Sequence, residues 1–124
     1  MPRSPMTPRR ITPHEAAVVR RALEACPVGP IGQGLLDSIS SLEVVARCEC
    51  GCDTVEFGGI DWADPPDLVA EGVAQTGDGM AVGLIVFATA DAVTCLEVYT
   101  LDDEPARLPT VESIRPYHPP ASGS

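Results

Sequence analysis

The sequence predicts an α+β fold in which two amino-terminal helices pack on a four- or five-stranded, mostly antiparallel meander sheet. The helices are predicted by a capping box at Thr12 and by apolar residues at helical spacing. The sheet is predicted by residues 81–99, the densest run of β-branched and large apolar residues, which is interrupted only by Ala90-Asp91. Because the predicted strands are separated by short turns, neighbouring strands should run antiparallel.

The chain of 124 residues is long enough for one domain, which the sequence places at residues 11–116. Residues 1–10 contain three prolines and three arginines, and they are expected to form a disordered tail. Residues 117–124 are expected to form a second disordered tail, because they combine prolines with a Ser-Gly-Ser end.

The first helix is predicted from Pro13 to Ala25. The Thr12 hydroxyl can accept from the Glu15 amide while the Glu15 carboxylate accepts from the Thr12 amide, and Pro13 suits the first helical position. Its buried stripe is predicted at Val19, Ala22, Leu23 and Cys26. A second, shorter helix is predicted from the helical spacing of Leu35, Leu36, Ile39 and Leu42.

The strands are predicted from alternation and from turn residues. Successive strands are expected at Glu43–Cys50, at Asp53–Phe57 and at Leu68–Thr76, and Gly77-Asp78-Gly79 should fold the last of these back on the next strand. That next strand has apolar residues on both faces, which predicts a central strand covered on both sides: Val82, Leu84, Ile85, Val86 and Phe87. Residues 108–114 are expected to form a short helix or an edge segment.

Charge and hydropathy exclude several classes of function. The formal net charge is −10, and five of the eight arginines lie in the first 21 residues. An acidic body argues against nucleic acid as a partner, because phosphate binding needs clustered cations, and it is compatible with a basic protein partner. No apolar run reaches the length of about 20 residues that spans a bilayer, and no secretory signal begins the sequence, so we expect a cytoplasmic protein without membrane contact.

The segment Cys48-Glu49-Cys50-Gly51-Cys52 is the one candidate for chemistry. Alternate residues of a strand lie about 6.6 Å apart, whereas two sulfurs on one zinc ion need to lie closer to about 4 Å. Only a bend at Gly51 would gather the three thiols. A zinc site would also need a fourth ligand, for which the candidates are Cys26, Cys95, His14 and His118.

Two other interpretations of the cysteines stay open beside zinc. A strained Cys50–Cys52 disulfide would be reducible and redox-active. Alternatively, the cysteines are small buried apolar groups, which the sequence favours because Glu49 and Asp53 disfavour thiolate formation. We therefore expect neither a bound metal nor a disulfide at this segment. The acids at 102–104 are expected to form a solvated turn, and Trp62 either closes the core or anchors a partner.

Several motifs in order resemble a group of small uncharacterised bacterial proteins. They are the segment Arg47–Val55 with its three cysteines, the strand Gly83–Phe87, Leu96-Glu97-Val98-Tyr99 and Leu108-Pro109. The resemblance covers about residues 10 to 116 and implies a single fold unit of bacterial, cytoplasmic origin. It implies no activity, ligand or partner.

The function that the sequence favours is non-enzymatic protein binding, as an inhibitor or immunity-type partner of a basic protein. This expectation rests on small size, acidic charge and the lack of a recognisable catalytic set. The alternative is a metal or thiol site built on Cys48, Cys50 and Cys52. A small enzyme is the least favoured class.

Overall fold

A computed structural model describes residues 3–58, 63–89, 91–100 and 102–117 of the chain. Two α-helices lie within these ranges, α1 (Pro13–Ala25) and α2 (Gln33–Ser38), and a 3-10 turn at Ile39–Ser41 follows α2. The strands are β1 (Arg3–Arg10), β2 (Glu43–Cys48), β3 (Val55–Glu56), β4 (Asp67–Gln75), β5 (Ala81–Ala88), β6 (Val93–Tyr99) and β7 (Arg115–Pro116).

The seven strands form one sheet in the order β1-β2-β3-β6-β5-β4-β7, and all of the pairings are antiparallel. The predicted fold class is therefore wrong. The sheet has seven strands instead of four or five, and one strand precedes the first helix. The order of neighbouring strands departs from a meander where β3 pairs with β6 and where β7 pairs with β4. The prediction missed β1 and β7 because both carry weak strand signals: β7 has two residues, and β1 is rich in proline.

The amino-terminal segment, predicted as a disordered tail, is the edge strand β1, which pairs with β2. Its prolines are compatible with this place, because an edge strand leaves one row of amides without a partner strand. The pairing is irregular between Pro5 and Arg9. Arg9 then donates two hydrogen bonds to the buried carboxylate of Glu15, at 3.0 and 2.8 Å, which fixes the end of β1 to α1.

Helix α1 begins and ends where the sequence predicts. The Thr12 hydroxyl accepts from the Glu15 amide at 3.0 Å, and the Thr12 amide donates to the Glu15 carboxylate at 2.9 Å. The predicted stripe is buried, together with Val18. The helix packs on β4 and β5 and thereby covers one face of the sheet.

Strand β5 is central, as predicted, because it pairs with β4 on one side and β6 on the other. Val82, Leu84 and Val86 are buried, whereas Ile85 and Phe87 are only partly buried. The prediction that both faces of β5 are covered is therefore correct for one face only. The predicted hairpin turn is confirmed: Thr76 donates its amide to the Met80 carbonyl at 2.9 Å, and Gly79 has a positive φ of 91°.

Strand β7 is a second edge strand of the sheet, and the sequence did not predict it. Arg115 and Pro116 pair with Val73 and Gly72 of β4, after a 3-10 turn at Val111–Ser113. The carboxyl-terminal residues from 118 onward lie outside the described residues. No helix in the part of the chain that the structure describes has the length and apolarity needed to cross a membrane.

Candidate functional site

The three clustered cysteines lie on the bend that joins β2 to β3. Strand β2 ends at Cys48, two residues earlier than predicted, so Cys50 is not on the strand. Gly51 has a φ of 90°, a conformation that favours glycine, and its amide donates to the Cys48 carbonyl at 3.4 Å. The bend that the zinc interpretation requires is therefore present, and the argument from strand spacing does not apply.

This bend brings the three sulfur atoms together. The Sγ atoms of Cys48, Cys50 and Cys52 all lie within 4.8 Å of one another. The Cys48 and Cys50 sulfurs are 2.8 Å apart, which is longer than a disulfide bond of about 2.05 Å and shorter than the separation of about 3.8 Å on a tetrahedral zinc ion. All three cysteines are free thiols.

Backbone amides point at two of these sulfurs. The Cys50 amide donates to the Cys48 sulfur at 3.5 Å, and the Cys52 amide donates to the Cys50 sulfur at 3.4 Å. Such hydrogen bonds favour a negative charge on sulfur, because the donor dipole stabilises the thiolate. The bend therefore offers the cluster a polar environment, although Cys48 and Cys52 are themselves buried.

The Cys50 and Cys52 thiols differ in how readily they lose a proton. Hydrogen bonds with the Cys48 and Cys52 thiols raise the pKa of the exposed Cys50 to about 11. Burial opposes ionisation of Cys52, but hydrogen bonds from Thr54 and from the two neighbouring thiols outweigh it and lower the pKa of Cys52. The buried Cys52 thiol therefore ionises more readily than the exposed Cys50 thiol.

A distant segment holds the bend in place. The Asp53 amide donates to the Ala106 carbonyl at 2.9 Å, and the Leu108 amide donates to the Asp53 carboxylate at 2.8 Å. Arg107 donates to the Gly51 carbonyl at 2.9 Å and lies 3.4 Å from the Asp53 carboxylate. The sequence analysis missed Arg107 and this segment, because more than 50 residues separate them from the cysteines and no local pattern connects them.

The cluster forms part of the wall of an open cavity of about 310 Å³. The same cavity is also lined by Glu97 of β6 and by the acidic residues that follow β6, which are Asp102, Asp103 and Glu104. Those three acids are exposed, as predicted for a solvated turn, yet they border the same cavity as the cysteines. The cysteines and these acidic residues therefore line one cavity that is open to solvent.

The other proposed ligands do not join the cluster. Within the described ranges, the three cysteines are the only group of cysteine, histidine and acidic residues close enough to share a metal ion. His14 makes a 2.9 Å hydrogen bond to the Pro109 carbonyl through Nε2. Cys26 is buried beside Gly72. Cys95 lies on β6, where it pairs with Phe87 of β5. His118 and Trp62 lie outside the described residues.

Comparison with protein families, with curated proteins and with solved structures found no match for this chain. The resemblance to small bacterial proteins therefore stays a prediction. What the site can do chemically is therefore inferred from its geometry. The three cysteines form a group that could hold a metal ion.

Proposed function

We propose that this chain binds a thiolate-preferring metal ion, with zinc as the first candidate, through Cys48, Cys50 and Cys52. The observation that carries the proposal is the gathering of the three Sγ atoms within 4.8 Å at a glycine bend. Thiolates select zinc, monovalent copper and iron–sulfur centres among biological metals. The proposed role is binding, without a catalytic step.

The environment of the sulfurs supports metal binding. Two backbone amides and Thr54 supply donors that stabilise negative sulfur, as needed when a metal displaces the thiol protons. The Cys50 side chain is exposed, so it has room to move. The distance between the Cys48 and Cys50 sulfurs can therefore increase from 2.8 Å to the separation of about 3.8 Å that zinc requires. The proposed cytoplasmic location would keep these thiols reduced.

The test is metal binding by the full chain purified under reducing conditions. We expect one zinc ion per chain by elemental analysis, and a rise in melting temperature when zinc is added to the metal-free protein. Cys50→Ser should abolish both, whereas Cys26→Ala, which removes a buried thiol outside the cluster, should retain stoichiometric zinc. Zinc retained by Cys50→Ser, or absent from the wild type, would refute the proposal.

A second candidate is binding of a basic protein, which a second groove favours; this groove shares Tyr99 and Thr100 with the cavity of the cysteines. Tyr99 and Tyr117, 37% and 43% exposed, border a groove of about 600 Å³, and aromatic side chains are frequent anchors of protein interfaces. The net charge of −10 would attract a basic partner. A pull-down from the native host should return a basic protein with the wild type and lose it with Tyr117→Ala; repeated absence of such a protein would count against this candidate.

A further inference from the structure

Three sulfurs leave one position of a tetrahedral metal ion without a ligand from the cluster. The acidic residues after β6 line the same cavity as the cysteines, and their carboxylates are a source of a ligand of another type. We infer that Glu104 supplies the fourth ligand, so that the site takes a zinc-class divalent ion through three sulfurs and one carboxylate oxygen. The inference rests on the proposed function and names a ligand that the cysteine motif does not contain.

Glu49 lies within the bend itself, but its carboxylate already accepts from the Ser4 hydroxyl at 2.7 Å. Of the three acids after β6, Glu104 is the closest along the chain to residues 106–108, which bind the bend. It precedes Pro105, whose Cγ would lie 4.0 Å from a Cβ atom placed on Gly51, at the centre of the bend. Asp102 is held in a local turn, because its amide donates to the Thr100 hydroxyl at 3.2 Å. Of the three acids, Glu104 therefore combines the shortest backbone path to the bend with the longest side chain.

The backbone next to Glu104 is fixed relative to the sulfurs. The Ala106 carbonyl accepts from the Asp53 amide, and Arg107 donates to the Gly51 carbonyl. These bonds hold the segment against the cysteine bend, so little further ordering is needed when Glu104 coordinates. Asp53 is a poorer candidate, because its carboxylate already accepts from the Leu108 amide and pairs with Arg107.

The Glu104 side chain has to rotate inward for this role. Among the described residues, no carboxylate lies within the 4.8 Å group of the three sulfurs, and Glu104 is exposed. An exposed side chain changes rotamer at little cost, and the attraction of a divalent cation in a cavity lined with acids favours the inward position. A carboxylate beside three thiolates also suits zinc better than monovalent copper, which prefers sulfur alone.

The experiment uses cobalt(II), a coloured substitute for zinc, titrated into the full reduced chain without oxygen. For the wild type we expect sulfur-to-metal charge-transfer bands of three thiolates and visible bands of a tetrahedral ion. Glu104→Gln should keep the charge-transfer bands, change the visible bands and weaken cobalt affinity about tenfold or more. Asp103→Asn and Asp102→Asn are the matched controls, since each removes the same charge from the same cavity, and both should retain the wild-type spectrum.

A variant that adds a thiolate ligand tests the inference through a gain of binding instead of a loss. Glu104→Cys should tighten cobalt binding and add the charge-transfer intensity of a fourth thiolate, whereas Asp102→Cys should leave the spectrum unchanged. Equal, small losses of affinity in all three acid variants would show an effect of charge alone and overturn the inference while leaving the metal site intact. A wild type that binds no cobalt would overturn the proposed function and this inference with it.

Discussion

Two parts of the same sheet are held together by different kinds of interaction. Strands β4, β5 and β6 are joined by local turns and packed through buried apolar side chains such as Leu84 and Leu96, which are at most 1% exposed. The bend between β2 and β3 is held by polar contacts from residues 106–108, and it carries an exposed cysteine. The hairpin region therefore provides stability, while the bend is free to carry polar and reactive groups.

The largest effect should come from the apolar region. Leu84→Ala should lower the free energy of unfolding by about 2–5 kcal/mol, because it leaves a cavity beside α1 in the centre of the sheet. Ile85→Ala, on the partly exposed face of the same strand, is the matched control. We expect a loss of about 1–2 kcal/mol there, and chemical denaturation will measure both. Equal losses would show that the two faces of β5 are equally buried, contrary to the structure.

The next effect concerns the ion pair that joins β1 to α1. Glu15→Gln should cost about 1–3 kcal/mol, because Arg9 loses its charged partner while Thr12 keeps only a neutral acceptor. This expected cost allows for solvent screening of the ion pair, because the Arg9 side chain is 36% accessible. Arg10→Ala is the control, since that side chain is exposed, and it should leave thermal unfolding within about 0.5 kcal/mol of the wild type.

The same pair predicts a pH dependence. Burial opposes ionisation of Glu15, but hydrogen bonds from Arg9 and Thr12 outweigh it and lower the pKa of Glu15 below its ordinary value of 4.5. The folded-state pKa is the lower one, so this stabilisation is fully present above pH 4.5 and is lost as the pH falls through the folded-state value. The stability difference between the wild type and Glu15→Gln should shrink in that range; a difference that grows on acidification would contradict the assignment.

The contrast between the two regions also explains what the sequence could predict. Helix α1 and the β4–β5 turn were predictable, because Thr12, Glu15 and Gly79 act through neighbours along the chain. Strand β1 was not, because its prolines indicate disorder until β2 and Glu15 supply partners. The cysteine motif was found from its residue types, yet its shape depends on Arg107, which no local pattern connects to it.

A smaller effect is expected at the polar support of the bend. Arg107→Ala should lower the free energy of unfolding by no more than about 1 kcal/mol, because the side chain is 58% exposed and its ion pair with Asp53 is a surface pair. It should nevertheless speed amide hydrogen exchange at residues 50–53, because the bend loses its bond to the Gly51 carbonyl. Arg115→Ala, remote in sequence and exposed, should not change exchange there. Unchanged exchange in Arg107→Ala would show that the bend does not depend on residue 107.

The smallest effect on stability, and the most specific one, concerns the order in which the thiols of the metal-free protein ionise. The neighbouring thiols raise the pKa of Cys50 to about 11, so its reaction with iodoacetamide should be slow at pH 8 and should accelerate about tenfold per pH unit up to pH 10, since the thiolate is the nucleophile. Cys52 ionises before Cys50, but its burial restricts attack. Cys48→Ala removes one of the thiols that raise the Cys50 pKa, so it should speed labelling of Cys50 at pH 8 without unfolding the chain. Mass spectrometry of the labelled peptide measures both rates, and a rate for wild-type Cys50 that levels off near pH 9 would show that the three sulfurs do not act as one cluster.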